Sequence, residues 1–307
     1  MNKLIPALSL VFILFGCRKA EQTDSINPKP DAPLYDVKFN VADFATTLVP
    51  MGTQAIKSTM AVTTDLKSYA DYFSYRVYDS RGFVIKLIDQ DNTSANFGTI
   101  NDRLGSGTYS VVMVAAKNSP PSFTRETLPY EVASFSSSSN GYWNDVFHKA
   151  FKLTIEDKPV TQKVQLDRLT AAFNLVLEDA IPADVSKITV SLYDEGQLGL
   201  NGSYNSRQFT RSYDFTLAAS DAGVKGKSFT GLLINTFGGV NFTVTAYNAS
   251  NKAIFEKIVD GVQFNKGQRL TISGVFFTTA NKKTVYTAPV GINVTAMNTQ
   301  AGVIVKF

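Results

Sequence analysis

Ile188-Thr189-Val190-Ser191-Leu192-Tyr193-Asp194 alternates apolar and polar side chains at a period of two, which on a pleated strand sends every second residue to one face. It reads as a half-buried strand. Its Tyr-Asp ending also closes Tyr75-Arg76-Val77-Tyr78-Asp79. Further on, Phe242-Thr243-Val244-Thr245-Ala246-Tyr247-Asn248 answers the stretch from Tyr109 to Asn118, and Arg269-Leu270-Thr271-Ile272-Ser273 answers Lys152-Leu153-Thr154-Ile155. Three segments recurring in one order predict two copies of one β-module. The alternative, that exposed strands look alike in any β-protein, stays open.

Outward from these segments the pattern is the same. Val37-Lys38-Phe39-Asn40-Val41 alternates, and Ser110-Val111-Val112-Met113-Val114-Ala115-Ala116 is apolar enough for a central strand. Few segments carry an apolar residue every three or four positions, and Gly, Asn and Asp punctuate the strands. The fold class is therefore all-β: two tandem β-sandwiches, expected over residues 36–163 and 164–307. The 22 Phe and 13 Tyr agree with that class, and 44% apolar residues are enough for a buried core. With 18% charged residues and a formal net charge of +4, dispersed along the chain, no nucleic-acid partner is expected.

Met1-Asn2-Lys3 opens a short apolar run from Leu4 to Phe15 that ends in Leu14-Phe15-Gly16-Cys17. A cationic start, an apolar segment and small residues are the layout of an export signal. The run falls short of the ~20 residues of a bilayer span. Leu14, Gly16 and Cys17 resemble the lipobox of bacterial lipoproteins, in which the cysteine sulfur is lipidated and the peptide is cut just before it. That resemblance implies a signal peptide over 1–16 and a lipid anchor on Cys17; an uncleaved membrane anchor or a plain secretory signal are the other readings. Cys17 is the only cysteine, so no disulfide can form within the chain. Residues 17–35, with Pro28, Pro30 and Pro33, read as a flexible tether.

At the other end, Val290, Ile292 and Val294 alternate with Gly291, Asn293 and Thr295, and Val303, Val305 and Phe307 alternate with Ile304 and Lys306. Two readings stand: a last strand paired within its own sheet, or a strand offered to another subunit.

Catalytic chemistry finds little support. The single histidine, His148, has no nucleophile elbow to serve, and the chain lacks the several His or Cys ligands that a zinc site wants. It is expected on a loop or strand edge. Asp89-Gln90-Asp91-Asn92 lacks the glycine and distal glutamate of an EF-hand and reads as a solvated turn. Neither a cofactor nor a metal is expected, and the chain is read as non-enzymatic. Tyr142-Trp143 holds the only tryptophan. Either the pair packs in the core or plugs a loop onto the sandwich, or its rings stack on a sugar.

The lipobox, the polar tether, the strand Val37 to Val41, Leu166-x-Arg168-Leu169-x-Ala171 and the stretch from Val262 to Gly274 together resemble the fimbrillin-like surface lipoproteins of Bacteroidetes, including the anchor subunits of short fimbriae. The resemblance implies two transthyretin-like (Ig-like) β-sandwich domains and a lipid-anchored fimbrial subunit or anchor in the outer membrane, at the cell surface. Its partners would be the membrane, other fimbrial subunits and ligands on host or bacterial surfaces. It also implies assembly by strand exchange, with the tail residues above as the donor strand. In that family a protease cuts after Arg or Lys; Lys57 is the one candidate position, and no clear Arg site is present. The competing reading is a glycan-binding surface lipoprotein using Tyr142 and Trp143.

Overall fold

A computed structural model of the chain describes residues 33–41, 65–124, 127–136, 138–139, 142–203, 208–234, 239–277, 283–287 and 304–306. Leu14, Gly16, Cys17, Lys57, Val290, Ile292, Val294, Val303 and Phe307 lie outside the described residues.

The chain begins with β1 (Leu34–Val41), β2 (Tyr72–Tyr78), β3 (Val84–Asp91), β4 (Thr99–Gly105) and β5 (Gly107–Ala116). Four short strands follow, β6 (Ser122–Phe123), β7 (Ser134–Ser136), β8 (Ser138–Ser139) and β9 (Tyr142–Trp143), then β10 (Val146–Ile155), β11 (Val160–Val164) and β12 (Asp167–Arg168). The second half holds β13 (Ala171–Leu177), β14 (Lys187–Glu195), β15 (Leu198–Gly199), β16 (Gln208–Thr216), β17 (Lys227–Leu233), β18 (Val240–Tyr247), β19 (Ala253–Val262) and β20 (Arg269–Gly274). It ends on β21 (Lys283–Thr287) and β22 (Ile304–Lys306). Among the described residues, helix is limited to two 3-10 turns, Leu66–Ser68 and Ala219–Asp221, and no helix is long and apolar enough to cross a membrane.

The strands form two sandwiches on one plan. In the first, the sheet β11-β1-β4 faces the sheet β12-β10-β5-β2-β3; in the second, β17-β13-β20-β22 faces β16-β14-β18-β19-β21. β1 lies between β4, antiparallel, and β11, parallel, as β13 lies between β17, antiparallel, and β20, parallel. β2 sits between β3 and β5 with β10 beyond, as β14 sits between β16 and β18 with β19 beyond. The duplication thus extends over seven strands. Two of the three sequence matches, β2 with β14 and β5 with β18, join true counterparts. The third does not: Lys152 to Ile155 closes β10, whose counterpart is β19, whereas Arg269 to Ser273 lies in β20, the counterpart of β11. Alternation marks a half-buried strand but not its place in the sheet.

Each sandwich buries its own core. Val37, Phe39 and Val41 point inward from β1 and meet Phe73, Tyr75, Met113, Phe147 and Ile155. In the second sandwich Phe173, Leu175, Val190, Phe242, Val244 and Ile272 are packed the same way. A third apolar cluster explains why β5 is apolar without alternation. Val111, Met113 and Ala115 face the first core, while Val112, Val114 and Ala116 face Tyr78, Phe135, Trp143, Leu198, Leu200 and Ile234. The cover over this outer face is the small sheet β15-β7-β6, to which the second half contributes β15. The two sandwiches are therefore joined through an apolar layer. Strand pairing of the first extends to Arg168, and that of the second starts at Ala171.

The last strand, β22, pairs parallel to β20 with Val305 opposite Ile272, so this segment adopts the own-sheet arrangement, one of the two left open above. β21 pairs parallel to β19.

Candidate ligand cleft

The short hairpin β8-β9 sets Ser138 opposite Trp143 and Ser139 opposite Tyr142. Trp143 is only 3% exposed, and its Nε1 donates to the Glu195 carbonyl oxygen at 2.6 Å. Its ring belongs to the layer between the sandwiches, so it offers no open face for stacking. Tyr142 is the accessible member of the pair. Its ring stacks on Tyr213 with centroids 4.8 Å apart and planes 26° from parallel.

Tyr213 is fixed from behind. Its hydroxyl donates to the Leu232 carbonyl oxygen at 2.7 Å and reaches Asp194 Oδ2 at 3.4 Å. Asp194 also accepts from the Ile234 amide at 2.9 Å and pairs with Arg211 Nε at 2.5 Å. Burial pushes the Asp194 carboxyl up to about 7 against the pull of Arg211, and burial, reinforced by Asp194, holds the Tyr213 hydroxyl well above its usual value.

Next to this support opens a cleft of about 310 Å³. Its walls are Tyr142, Trp143, Tyr213, Asp214, Phe215, Thr230, Gly231 and Leu232. β16 and β17 are the outermost strands of the two sheets of the second sandwich, so the cleft lies where the sandwich is open along one side, closed above by β9. Gly231 makes this fit possible. A Cβ there would stand 2.4 Å from Cε1 of Phe173, so any side chain would collide with the core ring that backs the cleft. Asp214 stands at the rim, exposed; Thr189 Oγ1 donates to its Oδ1 at 2.6 Å, and Lys187 Nζ is 3.7 Å from its Oδ2.

The remaining candidate residues lie apart from the cleft. His148 is not on a loop or an exposed edge: it is 5% exposed, stacked on Phe135 with centroids 5.5 Å apart, and its Nε2 lies 2.8 Å from the Leu200 carbonyl oxygen. Its sequence neighbours are polar, but the segment covering it comes from the other sandwich. Burial lowers its pKa from 6.5 to about 4, with Lys266 adding to the effect. Of Asp89-Gln90-Asp91-Asn92, expected as a turn, the first three residues instead end β3 and the turn begins at Asn92, with Asp91 Oδ1 accepting from the Thr93 amide at 3.0 Å. No group of three or more His, Cys, Asp or Glu suited to a metal occurs among the described residues.

One group went unseen in the sequence. Arg168 forks onto Asp145, Nε donating to Oδ1 at 2.7 Å and Nη2 reaching Oδ2, and Thr170 Oγ1 donates to the same Oδ1 at 2.7 Å. Its neighbours Leu166, Leu169 and Ala171 enter the first core, the middle layer and the second core in turn. The spacing of Leu166-x-Arg168-Leu169-x-Ala171 is thus the hinge pin between modules. Nothing in the sequence points from Arg168 to Asp145.

No family model and no curated protein matches the chain. Solved structures do. The chain is similar to a candidate adhesin from Bacteroides ovatus, with TM-score 0.52 and 12% identity over 74% of this chain and 78% of that one. A second candidate adhesin, from Bacteroides ovatus ATCC 8483, gives TM-score 0.51 and 14% identity over 84% and 94%. A third, from Bacteroides thetaiotaomicron, gives TM-score 0.50 and 14% identity over 73% and 80%. At such identities the likeness is one of fold.

Proposed function

We propose that the chain is a non-enzymatic subunit of an adhesive surface assembly, a fimbrial subunit or anchor of the fimbrillin-like kind, held to the outer membrane by lipid on Cys17. The observation that carries the reading is an asymmetry between two otherwise matching sheets. In the second sandwich the edge of β20 is covered by β22. In the first, no strand among the described residues covers the corresponding edge of β11.

An uncovered strand edge presents a row of backbone N–H and C=O groups, and a strand added from another chain satisfies them while its alternate side chains settle into the sheet face. A strand supplied by a neighbour would give the first sandwich the complement that the second already has. Such assembly needs no catalyst in the subunit. The alternating residues Val290, Ile292 and Val294 are suited to serve as the donor, Val303, Val305 and Phe307 would do so only by leaving the edge of β20, and a cut at Lys57 would be the maturation step. The shared fold with candidate adhesins supports the same reading.

Removing residues 288–307 in cells tests it. The expected outcome is a folded protein that no longer enters surface polymers; unchanged assembly would remove the donor-strand role. Replacing Cys17 by Ala is expected to move the protein out of the membrane fraction, checked by fractionation and by the mass of the mature amino terminus.

A further inference from the structure

We propose that the cleft between β16 and β17 is a binding site for a neutral sugar ring of a glycan, independent of any strand-mediated assembly. Three features of the site select that chemistry. The walls are aromatic: Tyr142, already stacked on Tyr213, and half-buried Phe215 present the flat apolar surface on which the C–H face of a sugar packs.

The rim is polar where a ring's hydroxyl groups would emerge. Asp214, which accepts from Thr189 at one oxygen, keeps further lone pairs for a ligand hydroxyl. Thr230, whose hydroxyl donates to Asn174 Oδ1 at 3.3 Å, can still accept, and the outermost strands β16 and β17 turn half of their backbone polar groups away from their partner strands. Sugar binding needs this pairing of an apolar face with a few directed acceptors. The charge argues for a neutral ring. Asp214 at the rim disfavours an anionic ligand, and Lys187 beside it is already engaged by Asp214.

The volume of about 310 Å³ sits at the lower end of ligand pockets, which run ~300–1,000 Å³. One ring is seated, and the rest of the glycan leaves along the open side. Trp143 does not touch the sugar with an open face, yet it lines the cleft and is the only tryptophan in the chain. Its emission therefore reports occupancy directly.

The test titrates the full chain with a panel of neutral tetrasaccharides built on glucose, mannose, galactose and xylose, following tryptophan emission and binding heat. The expected result is a saturable change with at least one sugar, weakened about ten-fold or more by Tyr142→Ala and several-fold by Asp214→Asn, both variants keeping the parent melting temperature. Thr230→Val, which removes a rim hydroxyl at an exposed position, provides a second arm should Tyr142→Ala fail to fold. The proposal is overturned by the absence of saturable binding across the panel, by binding that these substitutions leave unchanged, or by a peptide of residues 301–307 occupying the cleft and excluding the sugars. Tail deletion leaves sugar binding intact under this proposal, so its failure and that of the assembly reading are separable.

Discussion

At Gly231 an added Cβ would stand 2.4 Å from Cε1 and 2.5 Å from Cζ of Phe173, and 2.9 Å from Cδ1 of Tyr213. Both rings are held by the core behind them, so Gly231→Ala is expected to cost ~1–3 kcal/mol, the range for overpacking, read as a lower midpoint in urea. His148 makes a pH-dependent prediction. Buried neutral beside Phe135 and Leu200, it ionises only near pH 4 in the folded chain and near 6.5 in the unfolded one. Its contribution is therefore fully present above pH 6.5 and is lost as the pH falls toward 4, by roughly 3 kcal/mol. Asp194 works in the opposite sense: raised to about 7, its folded form holds a proton that the unfolded chain has already released, so its contribution fades as the pH rises through 7. The two partly cancel in the parent protein. Comparing urea unfolding at pH 7 and pH 4.5 between the parent and His148→Phe isolates the histidine, and the variant is expected to lose less stability on acidification.

Among the elements, the link from β12 to β13 carries the sharpest energetic consequence. Arg168 and Asp145 are both buried, and removing one leaves an uncompensated charge, a loss of about 3–5 kcal/mol. Arg168→Ala is expected to destabilise by that amount, and Arg168→Ala with Asp145→Ala together by clearly less, read from chemical denaturation of the single and double variants. The strands themselves were legible because alternation is local: β1, β14 and β18 follow directly from their residues. Which strand neighbours which was not. The mismatch of Lys152 to Ile155 with Arg269 to Ser273 arose because both alternate, while one ends a strand inside its sheet and the other lies beside β13. For the candidate cleft, the sequence supplied Tyr142 and Trp143 as a pair. Their division into an accessible ring and a buried one depends on Glu195, Tyr213 and Gly231, all distant along the chain. His148 was misplaced for the same reason, since its cover, Leu200 and Gly202, comes from the far sandwich.

At the scale of the whole molecule, the layer of Val112, Val114, Phe135, Trp143, Leu198, Leu200 and Ile234 makes the two sandwiches energetically dependent. The described residues from Leu34 onward form one compact unit. Calorimetry is expected to record a single unfolding transition, and Leu198→Asp, which puts a charge into that layer, to split it in two; two transitions in the parent protein would contradict the shared layer. The placement of β1 has a mechanical consequence. It runs through the middle of its sheet, bonded parallel to β11 on one side and antiparallel to β4 on the other. Traction applied ahead of Leu34 along the strand loads both ladders sideways and all at once, so the bonds share the force instead of unzipping in turn. A module gripped in this way holds under drag up to a threshold and then gives way as a whole rather than by peeling.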